Sequence, residues 1–184
     1  MKGKKIALIL AGILLVSAAT SAHATGWGVG GFGGVSIPIV QDDAAQGVVF
    51  GGHIRLSLGG ILGLEPNWTY FKNGDWTTSD APGETFPGSK FNSFGVNAIL
   101  GGAGPVTGFR FFPFAGFKFY NEKNDFRDFS GSHLGWNAGL GIEIGAGPIG
   151  IEGRASGELL PIDGGGSRKW VHILGGLNYY FGAK

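Results

Sequence analysis

HLGWNAGLGIEIGAGPIGIEGRASGEL, residues 133–159, alternates with the two-residue period of a β-strand. In its first half Leu134, Trp136, Ala138, Leu140, Ile142, Ile144 and Ala146 share one parity, while His133, Gly135, Asn137, Gly139, Gly141, Glu143 and Gly145 share the other. After Gly147-Pro148 the pattern resumes, with Ile149, Ile151, Gly153, Ala155, Gly157 and Leu159 against Gly150, Glu152, Arg154, Ser156 and Glu158. Successive side chains of a strand leave opposite faces, so the stretch predicts two antiparallel strands joined by a tight turn. One face is apolar and the other small or charged.

Working outward, the same alternation divides residues 25–184 into eight segments. The first, about 26–37, sets Trp27, Val29, Val35 and Ile37 against Gly28, Gly30, Phe32 and Ser36. The second, about 47–58, sets Val48, Phe50, Ile54, Leu56 and Leu58 against His53, Arg55 and Ser57. Only Gly59-Gly60 separates it from the third, about 61–72, where Leu62, Leu64, Pro66, Trp68 and Tyr70 oppose Glu65, Asn67 and Thr69. The fourth, about 91–101, carries Phe94, Val96, Ala98 and Leu100. The fifth, about 108–121, sets Phe109, Phe111, Ala115, Phe117 and Phe119 against Arg110, Gly116, Lys118 and Tyr120, with Phe112 and Phe114 also on the inward parity. The hairpin quoted above supplies the sixth and seventh. The eighth, about 169–181, sets Val171, Ile173, Leu177, Tyr179 and Phe181 against His172, Asn178 and Tyr180.

Connections alternate between long and short. The short ones (GG, AGPVTG, GP) carry no charge, while the long ones hold Asp42, Asp43, Asp75, Asp80, Glu84, Glu122, Asp125, Asp128 and Asp163. An even number of antiparallel strands, tight turns at one end and polar loops at the other describe an all-β, eight-stranded, up-and-down transmembrane β-barrel with its turns facing the periplasm. The competing arrangement is a soluble lipocalin-like barrel, which turns its apolar face inward to a ligand and its polar face to water. Two features favour lipid outside. The non-apolar parity is mostly glycine with a few charges, which suits a narrow packed lumen. The outward aromatics also gather toward strand ends, with Trp27, Phe109, Tyr179 and Phe181 at the turn end and Phe50, Trp68, Tyr70, Phe119 and Trp136 at the loop end, as two interfacial girdles do.

Residues 1–24 have a basic start (Lys2, Lys4, Lys5), an apolar run from Ile6 to Val16 and a small-residue end, Ala22-His23-Ala24. This is the layout of a secretory signal peptide cleaved after Ala24, and its apolar run falls well short of the roughly 20 residues of a spanning helix. Removing those three lysines from 14 basic residues leaves 11 against 13 acidic ones, so no basic field for nucleic acid is expected. The absence of cysteine excludes disulfides, thiolate metal sites, cysteine nucleophiles and lipid attachment at an N-terminal Cys. Glycine-rich runs such as GWGVGGFGG lack the following helix that a phosphate-binding loop requires, and curvature explains them better.

The chain resembles the small eight-stranded outer-membrane barrels of the OmpA and OmpX type, the porin-family outer-membrane β-barrel domain. The resemblance covers residues 25–184. Its most specific piece is VHILGGLNYYF (171–181), where Val171, Ile173, Leu177, Tyr179 and Phe181 match the assembly signal that the barrel-assembly machinery reads in that family. One departure is that Gly182-Ala183-Lys184 follow the terminal aromatic. The resemblance implies a location in the cell outer membrane of a Gram-negative bacterium, contact with outer-membrane lipid and lipopolysaccharide, and a monomer. No peptidoglycan-binding domain is expected after the barrel.

The inward charges are Arg55, Arg110, Lys118 and Arg154 against Glu65, Glu143, Glu152 and Glu158, four of each sign. An eight-stranded lumen is only wide enough for side chains to fill, so these are expected to form a compensated network. Counting outward from Gly59-Gly60 puts Arg55 across from Glu65. No cofactor or metal is expected, since the acidic loops show no calcium-loop spacing. Of the candidates for lipid-modifying chemistry, His53, His172, Ser57, Ser156 and Glu158, none lies in a recognisable motif, and His53 and Ser57 stand roughly 13 Å apart along one strand. The expected function is a structural or loop-mediated surface-binding role; a lipid-modifying enzyme and a narrow small-solute channel are the alternatives.

Overall fold

A computed structural model of the chain describes residues 26–39, 44–58, 60–77, 84–124, 129–162 and 166–181. The signal segment 1–24, the residues after 181, and the loop acids Asp42, Asp43, Asp80, Asp125, Asp128 and Asp163 lie outside the described residues. The strands are β1 (Trp27–Pro38), β2 (Ala45–Leu58), β3 (Leu62–Gly74), β4 (Trp76–Thr77), β5 (Thr85–Phe86), β6 (Lys90–Leu100), β7 (Gly108–Asn124), β8 (Phe129–Ala146), β9 (Ile149–Pro161) and β10 (Ser167–Phe181). All but β4 and β5 form one closed antiparallel barrel in which each strand pairs with its neighbours in sequence. Closure comes from β1 on β10, in continuous register from Trp27↔Phe181 to Pro38↔Trp170. The barrel abolishes unpaired edges, a requirement for backbone in lipid.

The apolar parity faces out. Ile151 is 63% exposed and its neighbour Glu152 4%, and the same contrast runs along Ile142, Glu143 and Ile144. A soluble barrel would have the opposite sense, so the lipocalin-like alternative does not hold. The three short connections close one end. Gly60, Gly101, Gly102, Gly108 and Gly147 all have positive φ there, as such tight reversals need. The backbone N–H groups of Gly101 and Gly102 both donate to the Ile61 carbonyl, at 2.8 and 2.9 Å, which ties two of the turns together.

Strand ends are where the chain departs from its expected boundaries. EKNDFRDFSGS was expected to be a loop, yet β7 runs on to Asn124 and β8 begins at Phe129, with Glu122↔Gly131 and Asn124↔Phe129 in register. The ladder continues because its side chains pair at both faces: Ser132 Oγ donates to Asn121 Oδ1 at 2.7 Å, and Glu122 accepts from Arg168 Nη1 at 2.5 Å. The long segment after β3 also contains structure of its own, the short β4–β5 ribbon with Trp76 against Phe86. Asp75 Oδ1 holds its base, accepting from the Gly88 N–H at 3.2 Å and from Lys72 Nζ at 3.3 Å.

Candidate functional site

The lumen holds nearly all the buried polar groups, so chemistry must be sought there first. Arg55 on β2 is its hub. Its Nε donates to Glu65 Oε2 at 2.9 Å and its Nη1 to Glu143 Oε2 at 2.9 Å and to the Tyr180 hydroxyl at 2.7 Å, while Nη2 donates to Glu152. The register of β2 on β3, with Leu56↔Leu64 and His53↔Asn67, carries Arg55 opposite Glu65. Arg154 on β9 grips Glu65 from the far wall with both terminal nitrogens, Nη1 to Oε1 at 2.7 Å and Nη2 to Oε2 at 2.5 Å, the bidentate geometry peculiar to guanidinium. Arg110 on β7 donates through Nη2 to Glu143 Oε2 at 2.5 Å and through Nη1 to the Gly104 carbonyl at 2.9 Å.

Three guanidiniums and three carboxylates therefore form one layer. Asn97 and Asn178 complete it by donating to Glu65 and to Glu143 and Glu152. The Phe112 ring lies against the same guanidiniums, 4.9 Å from Arg55 Cζ, 5.5 Å from Arg154 Cζ and 5.7 Å from Arg110 Cζ. Ile99, Ala103, Phe112 and Phe114 form a buried apolar cluster beside this layer.

A second, smaller polar layer lies nearer the loops. Glu158 accepts from Lys118 Nζ at 3.1 Å, from Ser156 Oγ at 3.2 Å and from the Tyr120 hydroxyl, and His172 Nδ1 stands 3.6 Å from it. A small space of about 10 Å³, room for roughly one water, touches both layers. Above the second layer an apolar cap of Val49, Phe71, Phe91, Tyr120, Leu160 and Trp170 spans the lumen. Phe71 and Phe91 stack at 4.5 Å, and Trp170 meets both edge-on while its Nε1 donates to Asn73 Oδ1 at 3.0 Å.

The eight inward charges expected from the sequence thus fall into two groups, Arg55, Arg110, Arg154, Glu65, Glu143 and Glu152 in one, and Lys118 and Glu158 in the other. Sequence parity did not single out the cap. Phe71 and Trp170 lie inside the expected third and eighth strands and share the inward parity of Thr69 and His172, so the alternation turns both inward without saying what they meet.

The candidates for catalysis do not assemble. Acyl-transfer chemistry needs hydroxyl, imidazole and carboxylate in series, with the imidazole in the middle. Here Ser156 donates straight to Glu158 and His172 approaches the same carboxylate, so the carboxylate stands in the middle. His53 Nε2 is 2.8 Å from Asn178 Oδ1, and Ser57 lies elsewhere on the same strand. Among the described residues no group of His, Asp and Glu could hold a metal ion.

Outside, the named aromatics all occupy the lipid-facing parity. Trp27 stacks on Phe181 at 4.0 Å, with Tyr179 edge-on to Phe181, at the turn end, where Phe109 is 65% exposed. Trp68 and Tyr70 pack around Phe50, and Trp136 against Phe117, toward the loops, with Phe119 exposed beside them. Val171, Ile173, Leu177, Tyr179 and Phe181 line the outer side of β10.

Several solved structures share this architecture. Neisserial surface protein A superposes with a TM-score of 0.65 at 12% identity, covering 85% of this chain and 97% of that one. The N-terminal β-barrel domain of Pseudomonas aeruginosa OprF gives 0.57 at 16%, over 86% and 98%. The Yersinia pestis outer membrane protein Ail in a phospholipid bilayer nanodisc gives 0.51 at 16%, over 85% and 99%. At these identities the likeness is one of fold. Comparison with curated proteins gives no match. Residues 6–166 do match a family described as the outer membrane protein beta-barrel domain, and to that family this closed, grease-outward barrel belongs.

Proposed function

We propose that the protein is exported by its segment 1–24 and, once assembled by the barrel-assembly machinery, serves as a monomeric, non-catalytic outer-membrane barrel. Its role is structural or surface-binding, exerted through the loops and the outer wall in contact with outer-membrane lipid and lipopolysaccharide. The observation that carries this reading is the filled lumen: the arginine–glutamate layer with its apolar cluster, the Lys118–Glu158 layer and the aromatic cap. Buried charges in such a layer are paired with opposite charges, and an aromatic cap offers an ion no replacement for its hydration shell. With the interior filled, the polar loops and the lipid-facing wall are the surfaces left to engage anything else.

The test is conductance in planar bilayers. The protein is expected to insert without producing steady open steps. A stable pore of nanosiemens size would overturn the filled-lumen reading in favour of a channel.

A further inference from the structure

One row of inward positions crosses five strands as successive register partners: Glu65 on β3, Asn97 on β6, Gly116 on β7, Asn137 on β8 and Glu158 on β9. It starts at a carboxylate of the arginine–glutamate layer and ends at the carboxylate that Lys118 holds. Hydrogen bonds run along it in one direction. Asn97 Nδ2 donates to Glu65 Oε1 at 3.0 Å, and Asn137 Nδ2 donates to Asn97 Oδ1 at 2.9 Å. Gly116 leaves the second bond its path, because a Cβ there would run into the Val96 carbonyl and Asn97 Oδ1. A carboxylate only accepts, so Glu65 fixes the orientation of both amides in turn and leaves the Asn137 oxygen as the open end.

There the row stops. Among the described residues Asn137 Oδ1 is buried without a partner, and its neighbour across the β8–β9 ladder is Glu158, a second acceptor. Asn67 repeats the arrangement: its Nδ2 donates to the Glu65 carbonyl at 3.1 Å, while its Oδ1 is buried and unpartnered, as is Thr69 Oγ1. All three residues are more than nine-tenths buried, and all three line the space of about 10 Å³ that Glu65 and Glu158 also line. An unpaired buried acceptor is costly, and acceptors surround this space, so whatever occupies it must donate. Charge selects the donor. Three guanidiniums meet three carboxylates in one layer and Lys118 meets Glu158 in the other, so a cation would add a buried charge with no counter-charge left for it.

We propose that this space is a binding site for one water molecule, which donates to Asn137 Oδ1 and Asn67 Oδ1 and takes Thr69 Oγ1 as its third partner. About three hydrogen bonds is the usual number for a buried water, and the space admits about one. The water joins the two polar layers into a single hydrogen-bonded network across the lumen.

Two measurements on the full refolded chain test this. In a crystal structure at a resolution that shows single waters, one peak is expected within hydrogen-bond distance of both amide oxygens, with no anomalous signal there after soaking in rubidium chloride. No peak, or a rubidium signal at the site, overturns the proposal, the second in favour of a monovalent cation. The other measurement is urea unfolding of Thr69→Val, which replaces the hydroxyl by a methyl of nearly the same size. If the hydroxyl serves a water, the folding constant should fall about fivefold, the scale of one net hydrogen bond. If the hydroxyl has no partner, removing it relieves an unpaired polar group, and an unchanged or raised folding constant overturns the proposal.

Discussion

Arg55 shows how much one buried side chain can be asked to do. It reaches three carboxylates and one phenol, and each of those carboxylates lies on a different strand. Replacing it by Met keeps an apolar stem of similar length but leaves Glu65, Glu143 and Glu152 with only Arg110 and Arg154. Stranding a buried charge costs about 3–5 kcal/mol, so Arg55→Met is expected to lose that much in urea unfolding of the refolded barrel. A loss below about 1 kcal/mol would mean that water already screens the layer. Glycine contributes at the same scale by being absent. The Phe112 ring stands over Gly141, where an added Cβ would lie 2.2 Å from Phe112 Cζ. Gly141→Ala is therefore expected to cost about 1–3 kcal/mol by overpacking. Gly157 on the lipid face has nothing nearer than 4.0 Å, and Gly157→Ala should be neutral in the same assay.

At the scale of elements, the hairpins differ in what holds them beyond the bilayer. β7 and β8 extend by continuing their ladder, whereas the segment after β3 is gathered by Asp75. The backbone N–H of Gly88, and after it the Lys72 ammonium, hold the Asp75 carboxyl below the 3.8 of an unperturbed aspartate. A lowered folded value stabilises above the unfolded value and is lost as pH falls through the folded one. The tie between Asp75 and Gly88 should thus persist at neutral pH and release only in acid. An NMR titration of the Asp75 carboxyl is expected to show a midpoint under that of a free aspartate, and the Gly88 amide should shift with the same midpoint. A Gly88 amide indifferent to that titration would remove Asp75 from the account of this loop.

For the whole molecule, closure couples each of the eight barrel strands to two neighbours and leaves no edge from which unfolding can begin in lipid. The folded barrel is accordingly expected to resist SDS at room temperature and to migrate differently in electrophoresis before and after boiling. Identical migration of the two samples would speak against a closed barrel in detergent. The filled lumen adds to this resistance, since the charged side chains are buried among one another, against Phe112 and under the aromatic cap.

Much of this was legible along the chain because a strand writes its two faces into alternate residues. Ile142, Glu143 and Ile144 declare their sides without reference to any other strand, and connection lengths alone order the strands. Arg55 and Glu65 are ten positions apart across a short turn, near enough to relate by counting. The contacts from Arg55 to Glu143 and from Arg154 to Glu65 span 88 and 89 positions, and no local pattern speaks of them. They exist because closing eight strands into a narrow cylinder with a particular stagger brings opposite walls within reach of one side chain. The aromatic cap has the same origin in part: Phe71 and Phe91 are cross-strand partners, while Trp170 reaches them from β10, three strands away around the closed cylinder. Alternation is a property of the chain, so the sequence by itself determined which way each residue faces; convergence is a property of the closed surface, so only the tertiary structure decided what each inward residue meets.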